Sequence, residues 1–100
     1  MSPLADLTLA QVLAELPDTA DGIADRMRAL GIKGRKGGAC ECPLANYLKD
    51  RGLPDVAVAR YYARAFKGGV TEAEMPPAAS EFVYRFDHGV YLDLVEVDRD

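Results

Sequence analysis

The chain has 100 residues, 49% of them hydrophobic and 28% charged, with a formal charge of −4. That length fits one small globular domain, residues 1–100, and excludes a large multi-step enzyme, because a core of this size leaves little room for a deep substrate cavity. The composition excludes collagen-like, coiled-coil and disordered classes.

Met1 to Asp6 lacks the basic start of a targeting segment and meets an acid before any long apolar run. The apolar stretch Leu7 to Ala14 falls far short of the roughly 20 residues of a membrane span. A cytoplasmic chain without membrane contact is expected. Thr8 and Gln11 have the spacing of a capping box, with Leu7 and Val12 placed as a hydrophobic staple. Leu9, Val12, Leu13 and Leu16 then recur at helical spacing until Pro17 stops them. Asp18 or Thr19 caps a second helix whose stripe is Ile23, Met27 and Leu30, and Gly31 supplies its left-handed end. The chain therefore opens with a helical hairpin.

Residues 31–39, Gly-Ile-Lys-Gly-Arg-Lys-Gly-Gly-Ala, read as an exposed loop, since the glycines disfavour a regular element and the cations disfavour burial. Pro43 suits the first position of a third, short helix with Leu44, Tyr47 and Leu48 inward and Gly52 beyond its end. Residues 55–75 fit either period. Strands are favoured, with Val56, Val58, Tyr62 and Phe66 on one face, Pro54 and Lys67-Gly68-Gly69 as turn signals, and Val70 to Met75 returning as a further strand. Pro76-Pro77 opens a last helix that presents Phe82, Val83 and Phe86 and ends near Gly89. Tyr91, Leu92, Leu94 and Val95 then dock on the core, and Asp98-Arg99-Asp100 fray. The fold class is α+β: a helical hairpin, a third short helix, a small antiparallel β-hairpin or meander, and a C-terminal helix.

Charge is segregated along the chain. Residues 1–25 carry −5, residues 26–67 carry +7 and residues 68–100 carry −6. Either the middle forms a basic face that meets phosphate or an acidic partner, or the three segments neutralise one another on folding.

Three constellations are candidates for chemistry. The first is the glycine-rich basic loop leading into the helix start at Pro43. Unpaired N–H groups and glycines let an anion approach closely, and Lys33, Gly34, Arg35, Lys36 and Arg51 are the expected binding residues. It is not a phosphate-binding Walker motif, because no Gly-Lys-Ser/Thr closes it. The second is Cys40-Glu41-Cys42-Pro43, where a helix start and nearby cations would lower a thiol's pKa. One intervening residue is too short for an unstrained disulfide or the usual zinc spacing, so packed, reduced thiols are the alternative. The third is Arg60, Tyr61, Tyr62 and Arg64, which interleave cations and aromatics as a base-stacking surface does. On a strand, one tyrosine would instead face the core. His88 is read as a charge at a helix C-terminus rather than as a base oriented by Asp87.

Gly31-Ile32-Lys33-Gly34, Cys40-Glu41-Cys42-Pro43-Leu44-Ala45-Asn46-Tyr47-Leu48 and the ending Glu81-Phe82-Val83 with Arg85-Phe86-Asp87-His88-Gly89-Val90-Tyr91-Leu92-Asp93-Leu94-Val95 resemble small uncharacterised proteins of actinobacteria and their phages. The resemblance spans most of residues 20 to 95. It implies an α+β arrangement and an intracellular setting, and it brings no activity with it. The Ala- and Arg-rich section over 56–66 departs from that pattern. The functional expectation is a non-catalytic regulatory or accessory binding protein that uses its central loop on an anionic partner, nucleic acid or a phosphate ligand. The alternatives are a protein–protein adaptor or inhibitor working through Tyr61, Tyr62 or the tail, and a thiol or metal protein through Cys40 and Cys42. No cofactor is expected, and a homodimer is an option.

Overall fold

A computed structural model describes residues 9–36, 40–53, 55–66 and 70–95. Helix α1 (Leu9–Ala14) buries Leu9, Val12 and Leu13, three positions of one apolar face. The capping box and staple proposed around Leu7 and Thr8 lie outside the described residues, as do Pro54, the Lys67-Gly68-Gly69 turn signal and the Asp98-Arg99-Asp100 end. Helix α2 (Ala20–Leu30) starts at Thr19, whose hydroxyl accepts the Gly22 N–H at 3.0 Å. It stops at Gly31, held at φ 71°, while the Ile32 N–H returns to the Met27 carbonyl at 2.9 Å. Its buried stripe is Ala20, Ile23, Ala24 and Met27. Leu30 is a correction: it is 54% exposed, because the two alanines centre the stripe away from it.

Helix α3 (Pro43–Asp50) has Pro43 in its first turn and buries Leu44, Ala45, Tyr47 and Leu48. Strands β1 (Val56–Val58), β2 (Tyr62–Ala65) and β3 (Thr71–Glu74) form an antiparallel meander in that order. Val58 pairs with Ala63 and Val56 with Ala65; Ala63 pairs with Ala73 and Ala65 with Thr71. Val56, Val58, Ala63 and Ala65 are buried, whereas Tyr62 and Phe66 point outward. The face expected from the sequence is thus half right. Arg60-Tyr61 is a two-residue turn, with the Ala59 N–H bonded to the Tyr62 carbonyl at 2.8 Å. Pairing across it sets even positions of β1 opposite odd positions of β2, so an alternation carried straight through the turn assigns β2 to the wrong side.

Helix α4 (Pro77–Asp87) buries Ala79, Phe82, Val83 and Phe86, and a 3-10 turn (Leu92–Leu94) follows. The ring centroid of Phe82 lies 6.3 Å from that of Phe86 and 5.4 Å from that of Tyr91, which ties the tail to the helix. The α+β arrangement with a small meander is as expected, but the first two helices choose different partners. Helix α1 lies on β2 and β3 and α3 on β1, while α2 packs against α4 and the 3-10 turn. Helices α1 and α3 therefore cover one face of the sheet, where Val56, Val58, Ala63 and Ala65 join the core. Among the described residues, no helix is long and apolar enough to cross a membrane.

Candidate binding surfaces

The basic loop is pinned down at its second glycine. Gly34 is buried, its N–H donates to the Leu94 carbonyl at 2.9 Å, and it forms a parallel bridge with Val95. On its other side it touches the backbone of residues 41–43: a Cβ added there would sit 2.5 Å from the carbonyl carbon of Cys42. The Arg35 N–H donates to the Glu41 carbonyl at 2.8 Å, and the Asn46 amide donates to the Lys33 carbonyl at 2.6 Å. The reading of this stretch as simply exposed is therefore corrected at Gly34. Its lack of a side chain serves contact with its own chain, and its N–H is already committed.

The start of α3 is closed to an anion as well. Cys42 is the N-cap, and its sulfur accepts the Ala45 N–H at 3.4 Å. Pro43 has no N–H to give, and both residues are buried. Burial pushes the Cys42 thiol up to about 11, against the lowering expected at a helix start near cations; desolvation outweighs the hydrogen bonds from Ala45 and Leu44. Cys42 is thus a neutral cap. Cys40 is exposed, and its carbonyl accepts the Lys49 ammonium at 2.6 Å. No group of three His, Cys, Asp or Glu among the described residues is placed to hold a metal ion.

The five expected binding residues do not converge. Lys33, Arg35 and Lys36 are exposed near the start of α3. Arg51 follows the far end of that eight-residue helix, about 12 Å away at 1.5 Å per residue. There it pairs with Glu15 at 2.8 Å, and the Arg26 guanidinium donates to the Glu15 carbonyl at 2.9 Å.

Much of the charge segregation is cancelled by such pairs. Arg28 of the basic middle meets Asp93 at 2.5 Å and Asp25 at 2.7 Å, and Arg64 meets Glu72 at 2.9 Å. Hydrogen bonding from Arg28 holds the Asp93 carboxyl below its usual range. The Tyr91 hydroxyl donates to Asp21 at 2.8 Å, and Arg85 stands 3.5 Å from the same carboxylate. Among the described residues, Lys33 and Lys36 are exposed cations with no carboxylate in ion-pair range.

The outer face of the meander is arranged differently. Tyr62 and Arg64 on the central strand and Phe66 just past its end point outward. Tyr62 is 52% and Phe66 45% exposed, and Val70 beyond them is 69% exposed. Ala57 on β1 and Ala59 just after it leave a shelf beside Tyr62 and Arg64, a shallow groove of about 330 Å³ with Glu72 on its far wall. A second aromatic group sits at the β1–β2 turn. The Arg60 guanidinium lies 5.2 Å from the Tyr61 ring centroid and 4.3 Å from that of Tyr84, and the His88 ring meets the Tyr84 ring at 4.1 Å, tilted by 32°. Neither tyrosine faces the core, against the one-in, one-out expectation: Tyr61 lies in the turn and Tyr62 on the outer face. The partnership of Tyr84 with His88 was missed in the sequence, although two rings four residues apart on one helix are a visible signal.

No family model, curated protein or solved structure matches this chain.

Proposed function

We propose that this chain is a non-catalytic binding module whose contact surface is the outer face of the meander and whose partner is a protein. The observation that supports this reading is the pair Tyr62, on the central strand, and Phe66, just past its end, both half-exposed on a sheet whose other face joins the core. Large aromatics contribute most of the affinity in protein contacts, where they fill partner pockets at small cost in side-chain entropy. The alanine shelf next to Tyr62 offers a place for a side chain of the partner. Electrostatics favour a protein over an anion here, since Arg64 is tied to Glu72 and Glu74 stands beside Tyr62. The test is affinity capture from the native host with wild type, Tyr62→Ala and Phe66→Ala. A captured protein should be lost with both variants while their melting temperatures stay within about 2 °C of wild type, as surface changes allow. Capture that survives both substitutions would sink the proposal.

A second reading rests on Lys33 and Lys36, exposed on a loop that Gly34 and Asn46 hold in place. A polyanion or phosphate ligand there would bind more weakly as salt rises, and Lys33→Gln with Lys36→Gln would flatten the salt slope by about two counterions. Salt-independent binding to an oligonucleotide would remove this reading.

A further inference from the structure

The meander has two edges, and they differ. Backbone groups of Tyr61, just before β2, and of Ala63 and Ala65 within it face β3: the Met75 N–H bonds to the Tyr61 carbonyl at 2.8 Å, and Ala63 and Ala65 pair with Ala73 and Thr71. In an antiparallel pair, hydrogen-bonded positions alternate, so the N–H and C=O groups of Glu72 and Glu74 point away from β2. Thr71, Glu72 and Glu74 are all exposed. The corresponding edge groups of β1 belong to Val56 and Val58, which are buried and lie next to α3. Among the described residues the exposed edge of the sheet is therefore β3, although α1 packs on its inner face.

We infer that β3 accepts an extended, basic segment of the protein partner as a fourth strand. This rests on reading the sheet as the contact surface and names what binds there. The backbone of Glu72 and Glu74 offers two donors and two acceptors in ladder spacing, which is how strand addition recognises a peptide. Charge selects the peptide. Both glutamates stand on the outer face; Arg64 engages Glu72, whereas Glu74 has no cation in ion-pair range among the described residues. A second copy of this chain is a poor occupant, because antiparallel pairing of β3 with itself sets glutamates opposite glutamates, and like charges across strands repel. The same two residues that keep copies apart attract a strand carrying lysine or arginine at alternate positions. Such side chains would emerge next to Glu72 and Glu74, on the face that also carries Tyr62 and Phe66.

The probe is a short peptide alternating lysine and threonine, compared with its glutamate–threonine counterpart and titrated into the isotope-labelled protein up to about 1 mM, the affinity range of weak contacts. The lysine peptide should bind, and amide exchange at Glu72 and Glu74 should slow on binding. The glutamate peptide should not bind. Glu74→Lys should weaken the lysine peptide by about tenfold, and Glu74→Gln by less, with unchanged circular dichroism in both. The inference is overturned by exchange at Glu72 and Glu74 already slow in the free protein, by lysine-peptide binding that leaves those two amides unchanged or is indifferent to Glu74→Lys, or by no binding at all. The broader reading fails separately. A host protein lost with Tyr62→Ala but kept with Glu74→Lys retains the face and discards the edge, whereas one kept with Tyr62→Ala discards the face itself.

Discussion

Gly34→Ala isolates the contact that joins the basic loop, the start of α3 and the C-terminal segment. Gly34 has no positive φ, unlike Gly31, Gly52 and Gly89, so alanine meets no backbone penalty there and its effect is steric. The new methyl would fall 2.5 Å from the Cys42 carbonyl carbon and closer still to the Glu41 oxygen and the Pro43 nitrogen. All three are backbone atoms, and the latter two flank a capped helix start, so nothing can yield by turning a rotamer. Removing a glycine from the unfolded chain favours folding by about 0.4–1 kcal/mol. Against this, forcing a methyl into a packed site costs about 1–3 kcal/mol. If the loop withdraws instead, it loses the bonds Gly34 N–H to Leu94 and Asn46 to Lys33, at about 1 kcal/mol each. The net loss is about 2 kcal/mol. With an unfolding entropy of about 2.1 cal/mol/K per residue, a chain of this length loses about 10 °C in melting temperature. Thermal and urea unfolding followed by circular dichroism measure it. A melting temperature within about 2 °C of wild type would refute the clamp, because an unclamped loop tolerates the methyl.

Two further substitutions test the local physics. Thr19→Ala removes the hydroxyl that accepts the Gly22 N–H and should cost about 1 kcal/mol in urea unfolding; an unchanged midpoint would show that the cap contributes nothing. Cys42 predicts an alkaline weakness. Its folded pKa of about 11 lies above the ordinary 9.0, so its stabilising contribution is full below about pH 9 and disappears as pH rises through about 11. The two-unit shift amounts to about 2.7 kcal/mol when fully lost. Urea midpoints between about pH 8 and about pH 11 should fall more steeply for wild type than for Cys42→Ala, which has no thiol to ionise. Parallel slopes would refute the buried, neutral cap.

Local chemistry was legible wherever a short stretch decides the outcome. Thr19 and Gly31 bracket α2 because a hydroxyl meets the N–H three residues on and a glycine alone takes a left-handed φ cheaply. Pro43 and Pro77 open α3 and α4 for the same kind of reason. The candidate site was less legible. Tyr61 and Tyr62 stood out as aromatics next to arginines, but their exposure depended on a two-residue turn that changes which parity faces inward. Glu74 carries no local signal, since an edge position exists only once β3 has paired with β2.

The α+β class, both ends of α2 and the proline starts of α3 and α4 rest on residues within a few positions of one another, whereas residues 55–75 fit either period and become strands only by pairing. What the charged residues and glycines do depends on contacts between distant parts of the chain. Arg28 finds Asp93 at 65 residues' separation and Arg51 finds Glu15 at 36, so much of a basic segment that looks free along the chain is spent inside the molecule. Gly34, which as sequence suits a ligand's approach, is closed over by residues 41–43 and 94 because packing brings two distant backbones together where only a hydrogen fits. Among the described residues the sheet's outer face stays exposed for the complementary reason: α1 and α3 pack on the opposite side, where Val56, Val58, Ala63 and Ala65 bury their apolar surface.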